Sequence, residues 1–427
     1  METHVSPELQ AVYDEVAKCG KCGFCQAVCP IFDITKDEGS VARGHNLHIR
    51  KLIEGELTLN AELKDPLFEC LLCMTCVSNC FPAVRTHENV VQGRAEYIKR
   101  VGRPKTLQFL FNNLLPDPKK MARFMRMGAY GKKLGVSKLA RTLGVLKWFG
   151  NNLDKAEVIV EKLPTRFFRD RVSKLKLTPE HRTVRIGYFV GCGFNFVMPQ
   201  VSEATTQLLV HLGAEVSITE NCCCGLPAYT YGDLEAARKM ARQNIAIIEK
   251  TDADFIVTEC ATCASFLKHY TKLFKDDPEM AQRAEQAAKR IRGFSEFIHS
   301  RLPLPDPRNT GPLTVTYHDP CHQCRYQGIV KEPRTILKQI PDIEYTEMPQ
   351  ADLCCGAAGS YNVMRYDQSM KILDRKMTSL KKTGAQILTN ECPSCCLQLS
   401  YGVRRAGLET RVMHISELMR TIYLPDN

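Results

Sequence analysis

Cys19-Gly20-Lys21-Cys22-Gly23-Phe24-Cys25-Gln26-Ala27-Val28-Cys29-Pro30 decides how this chain is read, because its four thiols stand at Cys-x2-Cys-x2-Cys-x3-Cys spacing. The same spacing returns in Cys70, Cys73, Cys76 and Cys80, with Pro82 two places on. Four thiolates in one such run wrap a 4Fe–4S cube: the first three hold irons of one cluster and the fourth reaches across to the other. The pattern therefore assigns Cys19, Cys22, Cys25 and Cys80 to one cluster, and Cys70, Cys73, Cys76 and Cys29 to the second. Zinc, the competing metal, favours paired Cys-x2-Cys units separated by a loop. No secretory signal precedes the cysteines, which argues against a disulfide framework. The chain is read as one that moves electrons.

The other thirteen of the 21 cysteines follow a pattern of their own. Cys192, Cys222-Cys223-Cys224-Gly225 and Cys260-Ala261-Thr262-Cys263 are followed by Cys321, Cys354-Cys355-Gly356 and Cys392-Pro393-Ser394-Cys395. The offset is 129 residues at the first element, 131 at the second and 132 at the third. Ile256-Val257-Thr258-Glu259-Cys260 also recurs as Leu388-Thr389-Asn390-Glu391-Cys392. So small a drift over a whole unit indicates an internal duplication. Each copy offers five candidate thiolates, and Cys222, Cys324 and Cys396 fall outside that count.

A chain of 427 residues has room for several domains with buried cores. The motifs divide it into a two-cluster ferredoxin-like domain over 1–100, a basic helical linker region over 101–180, and Cys-Cys-Gly repeats over 181–305 and 306–427. Hydrophobic content of 44% and charged content of 25% are ordinary globular values. No apolar run approaches the ~18 residues that span a bilayer, and no signal peptide opens the chain. Free thiols in such number imply a reducing cytoplasm.

The net charge of +11 is unevenly spread. Between 116 and 150, nine basic residues (Lys119, Lys120, Arg123, Arg126, Lys132, Lys133, Lys138, Arg141, Lys147) face one acid, Asp117. Leu134, Leu139, Leu143, Leu146 and Phe149 add an apolar helical pattern, with Trp148 near its end. Basic and amphipathic together indicate peripheral contact with anionic lipid or docking on an acidic partner. The plainer alternative is a subdomain whose apolar side packs at home, and glycines at 128, 131, 135 and 144 interrupt the helix. No stacking platform or base-reading motif accompanies the charge, so nucleic acid is not expected as a partner.

Beyond residue 180 strands and helices alternate. Strands are expected over 183–190, 215–219 and 254–258 and again over 314–317, 344–347 and 386–389, with helices over 199–212, 233–250 and 361–383. The expected fold is therefore multidomain, α+β and α/β: an N-terminal helical two-4Fe–4S ferredoxin-like domain followed by duplicated α/β Cys-Cys-Gly domains. Cysteines cluster where strands end, the ligand crevice of an open α/β sheet. Five soft thiolates suit an iron–sulfur cluster, and four of them suit tetrahedral zinc; the clusters next door favour iron–sulfur, with zinc as the alternative. His318 and His322 flank Cys321, and each could replace a thiolate, relay protons or simply pack its loop. No G-x-G-x-x-G, Walker loop or Ser-His-Asp motif is present, so hydride transfer would need a flavin on another chain.

These residues resemble a known family. The Cys-Cys-Gly repeats behind a two-cluster domain are similar to the iron–sulfur subunit of glycolate oxidase and related D-lactate dehydrogenases. The likeness is closest in Tyr317-His318-Asp319-Pro320-Cys321-His322, in Leu353-Cys354-Cys355-Gly356-Ala357-Ala358-Gly359-Ser360-Tyr361-Asn362 and in Val412-Met413-His414-Ile415-Ser416-Glu417-Leu418. It implies an electron-transfer role between an FAD-containing dehydrogenase subunit and a quinone or other acceptor. The full Cys260-x2-Cys263 and Cys392-x2-Cys395 pairs look more like the catalytic subunit of heterodisulfide reductase, whose noncubane 4Fe–4S clusters split a disulfide. That second resemblance implies Cys192, Cys223, Cys224, Cys260 and Cys263 as one ligand set, and Cys321, Cys354, Cys355, Cys392 and Cys395 as the other. Within the Cys222–Cys224 triplet the neighbouring Gly225 favours the last two.

Overall fold

The computed structural model describes residues 5–144, 152–307 and 311–425; Leu146, Lys147, Trp148 and Phe149 of the basic segment lie outside them. In the N-terminal domain two helices, α1 (Ala42–Ile53) and α2 (Thr86–Val101), pack on one another. Each turns an apolar stripe inward, so that Ile49 and Leu52 meet Tyr97, Leu67 and Phe68. Both cysteine runs lie in loops and single helical turns beside this pair. Arg94 on α2, buried, clamps the N-terminal domain to the C-terminal half. Its guanidinium donates to the carbonyls of Leu67 at 2.9 Å, Cys70 at 2.6 Å and Thr230 at 2.6 Å.

Helix α3 (Pro118–Lys133) opens the basic segment, capped by the Asp117 carboxylate, which accepts the Lys119 and Lys120 N–H groups. A shorter helix, Val136–Thr142, continues it. The apolar pattern does not pack at home: Leu134, Leu139 and Leu143 are 78%, 60% and 67% exposed. Among the described residues no helix is long and apolar enough to cross a membrane.

The C-terminal half holds two four-stranded parallel sheets of the same topology. β1 (Val184–Tyr188), β2 (Ala214–Ile218), β3 (Phe255–Thr258) and β4 (Ile291–Gly293) lie in the order β2-β1-β3-β4. β5 (Leu313–Tyr317), β6 (Ile343–Tyr345), β7 (Ile387–Asn390) and β8 (Arg411–His414) lie in the order β6-β5-β7-β8. Strand order reverses beside β1 and beside β5, which opens a crevice at the carboxyl ends of the strands. The six expected strands are present within a residue or two of their expected bounds. The fourth strand of each sheet, only three or four residues long, was not expected; so short a run carries no period to read.

Helices α4 (Pro199–His211), α5 (Leu234–Lys250) and α6 (Phe294–His299) cover the first sheet, and α7 (Lys331–Gln339), α8 (Tyr366–Lys381) and α9 (Ile415–Tyr423) the second. α4 packs on α9 and α6 packs on α7. These are equivalent pairings with the repeats exchanged, so the duplication is arranged about an approximate two-fold axis. Leu208, Leu209, Ile298, Ile336, Leu418 and Ile422 form one shared core there, each such side chain worth about 1.5–3 kcal/mol when fully buried. The helix expected over 361–383 breaks at Arg365 (φ −129°, ψ 52°), which separates Tyr361–Met364 from α8. The break lets Tyr361 pack against Leu71 and Cys73, and lets Arg365 pair with Asp65 of the N-terminal domain.

Candidate metal centres

The two N-terminal runs fold into loops of the same shape. Lys21 and Leu72, each just before the second cysteine of its run, have φ of 55° and 53°; Gly23 and Met74, just after it, have 86° and 60°. Three of these four are not glycine, and a left-handed backbone costs such a residue about 1–3 kcal/mol. Strain repeated at matching positions is what a loop shaped around a ligand shows. Cys29 sits with Cys70 and Cys73, whose charges add to the burial that pushes its thiol up to about 12. Cys25 sits with Cys19 and Cys22. Cys80 is half-buried behind the helical turn Thr75–Ser78, which packs on Phe24–Val28 and is tied there by Asn79 Nδ2 donating to the Phe24 carbonyl at 2.9 Å. The first run's fourth cysteine thus lies with the second run, and the second run's last turn lies on the first.

In the repeats, Cys192 follows β1, Cys222–Cys224 follow β2 and Cys260 follows β3, so three strand ends deliver their thiols to one crevice. Cys192 Sγ lies 4.0 Å from Cys223 Sγ. Cys223 and Cys263 hydrogen-bond the Cys224 sulfur and hold it down at about 6. Cys260 contacts Cys263, which completes an unbroken run of five sulfurs. The second repeat has the same chain: Cys321 and Cys355 hydrogen-bond Cys354 and hold it well below an ordinary thiol, Cys355 and Cys395 sulfurs lie 3.4 Å apart, and Cys395 bonds Cys392. Cys222 is turned away, its Sγ donating to Asn244 Oδ1 at 3.4 Å. Cys396 likewise donates to Asn390 Oδ1 at 3.3 Å, and Cys324 turns to the Cys321 carbonyl. Five soft donors in contact, four of them buried and Cys192 or Cys321 half-buried, fit an iron–sulfur group, whose positive irons allow all of them to be thiolates at once.

Gly225 (φ +93°) and Gly356 (φ +87°) close each Cys-Cys turn; a Cβ on Gly356 would stand 2.8 Å from the Ser369 carbonyl oxygen. One carboxylate supports each set. Glu259 accepts from the Gly191 N–H at 3.2 Å and from Ser202 at 3.1 Å, which joins the β1 turn to the β3 turn. Glu391 accepts from the Ser295 N–H at 3.1 Å, Tyr317 at 3.0 Å and Gln323 at 2.7 Å.

Residues 15–83 match the 4Fe-4S dicluster domain family, and 186–268 and 315–400 match the cysteine-rich domain family. Residues 104–160 match the linker region of the glycolate oxidase iron-sulfur subunit. The probable glycolate oxidase iron-sulfur subunit of Bacillus subtilis (strain 168) is 29% identical over 423 residues, 95% of this chain and 93% of that protein. Lactate utilization protein A of Bacillus thuringiensis (strain Al Hakam) is 33% identical over 239 residues, 56% of this chain and 99% of that protein. The chain belongs to the family of lactate utilization protein A, and it is similar to the glycolate oxidase iron-sulfur subunit over nearly its whole length. Among solved structures, a hypothetical protein from Helicobacter pylori aligns over 80% of this chain and 77% of its own at 9% identity, with a TM-score of 0.43.

For a member of this family, the relation between the centres is as informative as the centres themselves. Cys25 and Cys76 are neighbours across the N-terminal domain. Cys73 shares one buried cluster with Cys354 and faces Cys321. Cys392 lies beside Cys260, with Thr262 Oγ1 at 3.3 Å from its sulfur. The thiol groups therefore form a line, from exposed Cys22 through the second N-terminal loop into the second repeat and on to the first. Sequence order does not foretell this: both repeats touch the N-terminal domain, but it is the later repeat's cysteines that lie beside the Cys73 loop. The roles of Glu259 and Glu391 were also missed, although a Glu kept before the Cys-x2-Cys of both copies was the available signal. His322 stacks on Tyr326 at 4.3 Å with Nδ1 3.3 Å from Ser265 Oγ, and so packs its loop.

Proposed function

We propose that this protein is the electron-transfer subunit of a flavin-dependent 2-hydroxy-acid dehydrogenase, acting on glycolate or D-lactate and relaying electrons from an FAD partner subunit to a quinone or other acceptor. The observation that carries this reading is the line of thiol groups that runs from the N-terminal cysteine loops into the second repeat and on to the first. Cys19, Cys22, Cys25 and Cys80 would hold the first cubane, and Cys29, Cys70, Cys73 and Cys76 the second. Cys192, Cys223, Cys224, Cys260 and Cys263 would hold a cluster in the first repeat, and Cys321, Cys354, Cys355, Cys392 and Cys395 one in the second. When bound, such clusters supply one-electron transfer without atom transfer.

The chain's own contacts hold the cysteine groups in place against one another. Arg94 locks the Cys70 loop to the first repeat. Glu391, reached by Ser295 of the first repeat and Gln323 of the second, locks the repeats to each other. The unpartnered apolar side chains Leu134, Leu139 and Leu143, set among lysines, are suited to rest on an anionic membrane where a quinone acceptor dissolves.

The names of the relatives do not favour the heterodisulfide alternative, and turnover separates the two readings. Fed by a low-potential dye, the isolated chain should not reduce a disulfide; with its flavoprotein it should pass electrons to a quinone. Cys355→Ala should stop that delivery while leaving flavin reduction by the hydroxy acid unchanged. Disulfide reduction by the lone chain, abolished by Cys355→Ala, would overturn the proposal.

A further inference from the structure

We infer that His318 is a sixth donor, through nitrogen, to the metal centre of the second repeat, and that the first repeat lacks one. The inference rests on the iron–sulfur reading of that repeat. His318 follows β5 and is 1% exposed. Its backbone N–H donates to the Thr389 carbonyl at 2.9 Å. In the first repeat Phe189 makes the same bond to Val257, also at 2.9 Å, so the two side chains occupy equivalent places.

The ring's tautomer is set by its surroundings. Nδ1 lies 3.1 Å from the Ala351 carbonyl oxygen. A carbonyl only accepts, so Nδ1 carries the hydrogen and the neutral ring is left with a lone pair on Nε2. Nε2 is buried and has no hydrogen-bond partner among the described residues. The donor atoms of His318, Cys355 and Cys395 all lie within 4.8 Å of one another. A buried acceptor is not normally left unsatisfied; with Nδ1 engaged by Ala351, Nε2 is the nitrogen left for a metal shared with the two nearby thiols. An imidazole anchored through its other nitrogen to a backbone carbonyl is also the arrangement that orients metal-ligating histidines.

The anchor is itself held. Ala351 O also receives the Asp319 N–H at 3.0 Å and Lys376 Nζ at 2.8 Å, and Lys376 donates to the Gln350 carbonyl at 2.8 Å as well. Ser369 stands against Gly356 as Ala237 stands against Gly225, and this register puts Asn244 where the second repeat has Lys376. Neither the histidine nor the buried cation has a counterpart in the first repeat. The repeats therefore hold unlike centres, and a nitrogen ligand beside a lysine gives the second the higher reduction potential.

The test is pulsed EPR on the intact iron-loaded chain grown with 15N-histidine. The second-repeat signal is the one lost in Cys355→Ser. It should carry the hyperfine coupling of a directly bound histidine nitrogen. His318→Phe, which installs the first repeat's residue, and His318→Gln, which keeps a donor for Ala351, should each remove the coupling and lower the midpoint potential of that signal alone. The wild-type coupling decides the matter even if one variant fails to fold. Iron in the repeats without histidine coupling on this signal, or a coupling that survives His318→Gln, would overturn the inference alone. An iron count showing none in the repeats would overturn the functional reading beneath it as well.

Discussion

Glu391→Ala removes the acceptor on which both repeats converge. The carboxylate is 1% exposed and is reached by Ser295 N and Oγ from the first repeat and by Gln323 Nε2 and Tyr317 from the second. Tyr317 has Gln323 Oε1 as an alternative acceptor at 2.7 Å, so three donors are stranded away from water. At about 1–3 kcal/mol for each unsatisfied buried group, and with some relaxation, the loss comes to about 4 kcal/mol. That is a large part of the 5–15 kcal/mol typical of a folded domain. Glu391→Gln keeps one oxygen for Gln323 and sets an amide N–H against only the Ser295 N–H, at a cost of about 1–3 kcal/mol. Anaerobic urea unfolding at matched iron content should rank wild type above Gln and Gln above Ala, and hydrogen exchange should show the Ser295 amide losing protection in both variants. Equal midpoints for Ala and Gln, or a Ser295 amide still protected in Ala, would refute the reasoning.

Four other outcomes are expected. Cys29→Ser should perturb the EPR signal of the cluster built on Cys70, Cys73 and Cys76; a change confined to the Cys19–Cys25 cluster would show that the crossing is wrong. Anaerobically purified protein should contain about eight irons in the N-terminal domain and up to about eight more in the repeats, whereas about eight irons with about two zincs would assign zinc to the repeats. Glu15 is buried, which alone would raise it, but hydrogen bonds from Arg85 and Lys18 hold it down at about 2. Its contribution is present above the ordinary carboxylate range and is lost as pH falls from about 4.5 towards 2. Because both partners are half exposed, it is worth about 1–2 kcal/mol, and Glu15→Gln should flatten the acid limb of an unfolding-midpoint profile by that amount. Gly356→Ala should cost about 1–2 kcal/mol for the left-handed backbone alone, and more for its contact with Ser369; normal iron content and an unchanged unfolding midpoint would show the turn to be tolerant.

What was legible in the sequence is what spacing and period encode. The 2-2-3 runs, the doubled Cys-Cys-Gly pattern and the strand-to-cysteine junctions all follow from local sequence, and the left-handed Gly225 and Gly356 stand where tight turns were required. Contacts between distant segments were not legible. The break at Arg365 answers to Asp65, some 300 positions away, and no local propensity encodes it. The apolar face of the linker helices reads the same whether covered or bare, and only the fold shows Leu134 and Leu139 exposed. Sequence does not choose among the roles open to His318, because the choice depends on Ala351 and Cys355, which the chain reaches only after β6.

The central claim is that electrons enter this chain from a flavoprotein and travel along its line of cysteine-held centres. It is tested most directly by freeze-quench EPR on the complex of this chain with its flavin partner, mixed anaerobically with glycolate or D-lactate. The account predicts that the chain's iron–sulfur signals change only when the flavoprotein and the hydroxy acid are both present, with the N-terminal signals affected by Cys29→Ser and the second-repeat signal by Cys355→Ala. Signals that stay unchanged in the complete mixture, or that change when the chain meets the hydroxy acid alone, would contradict it.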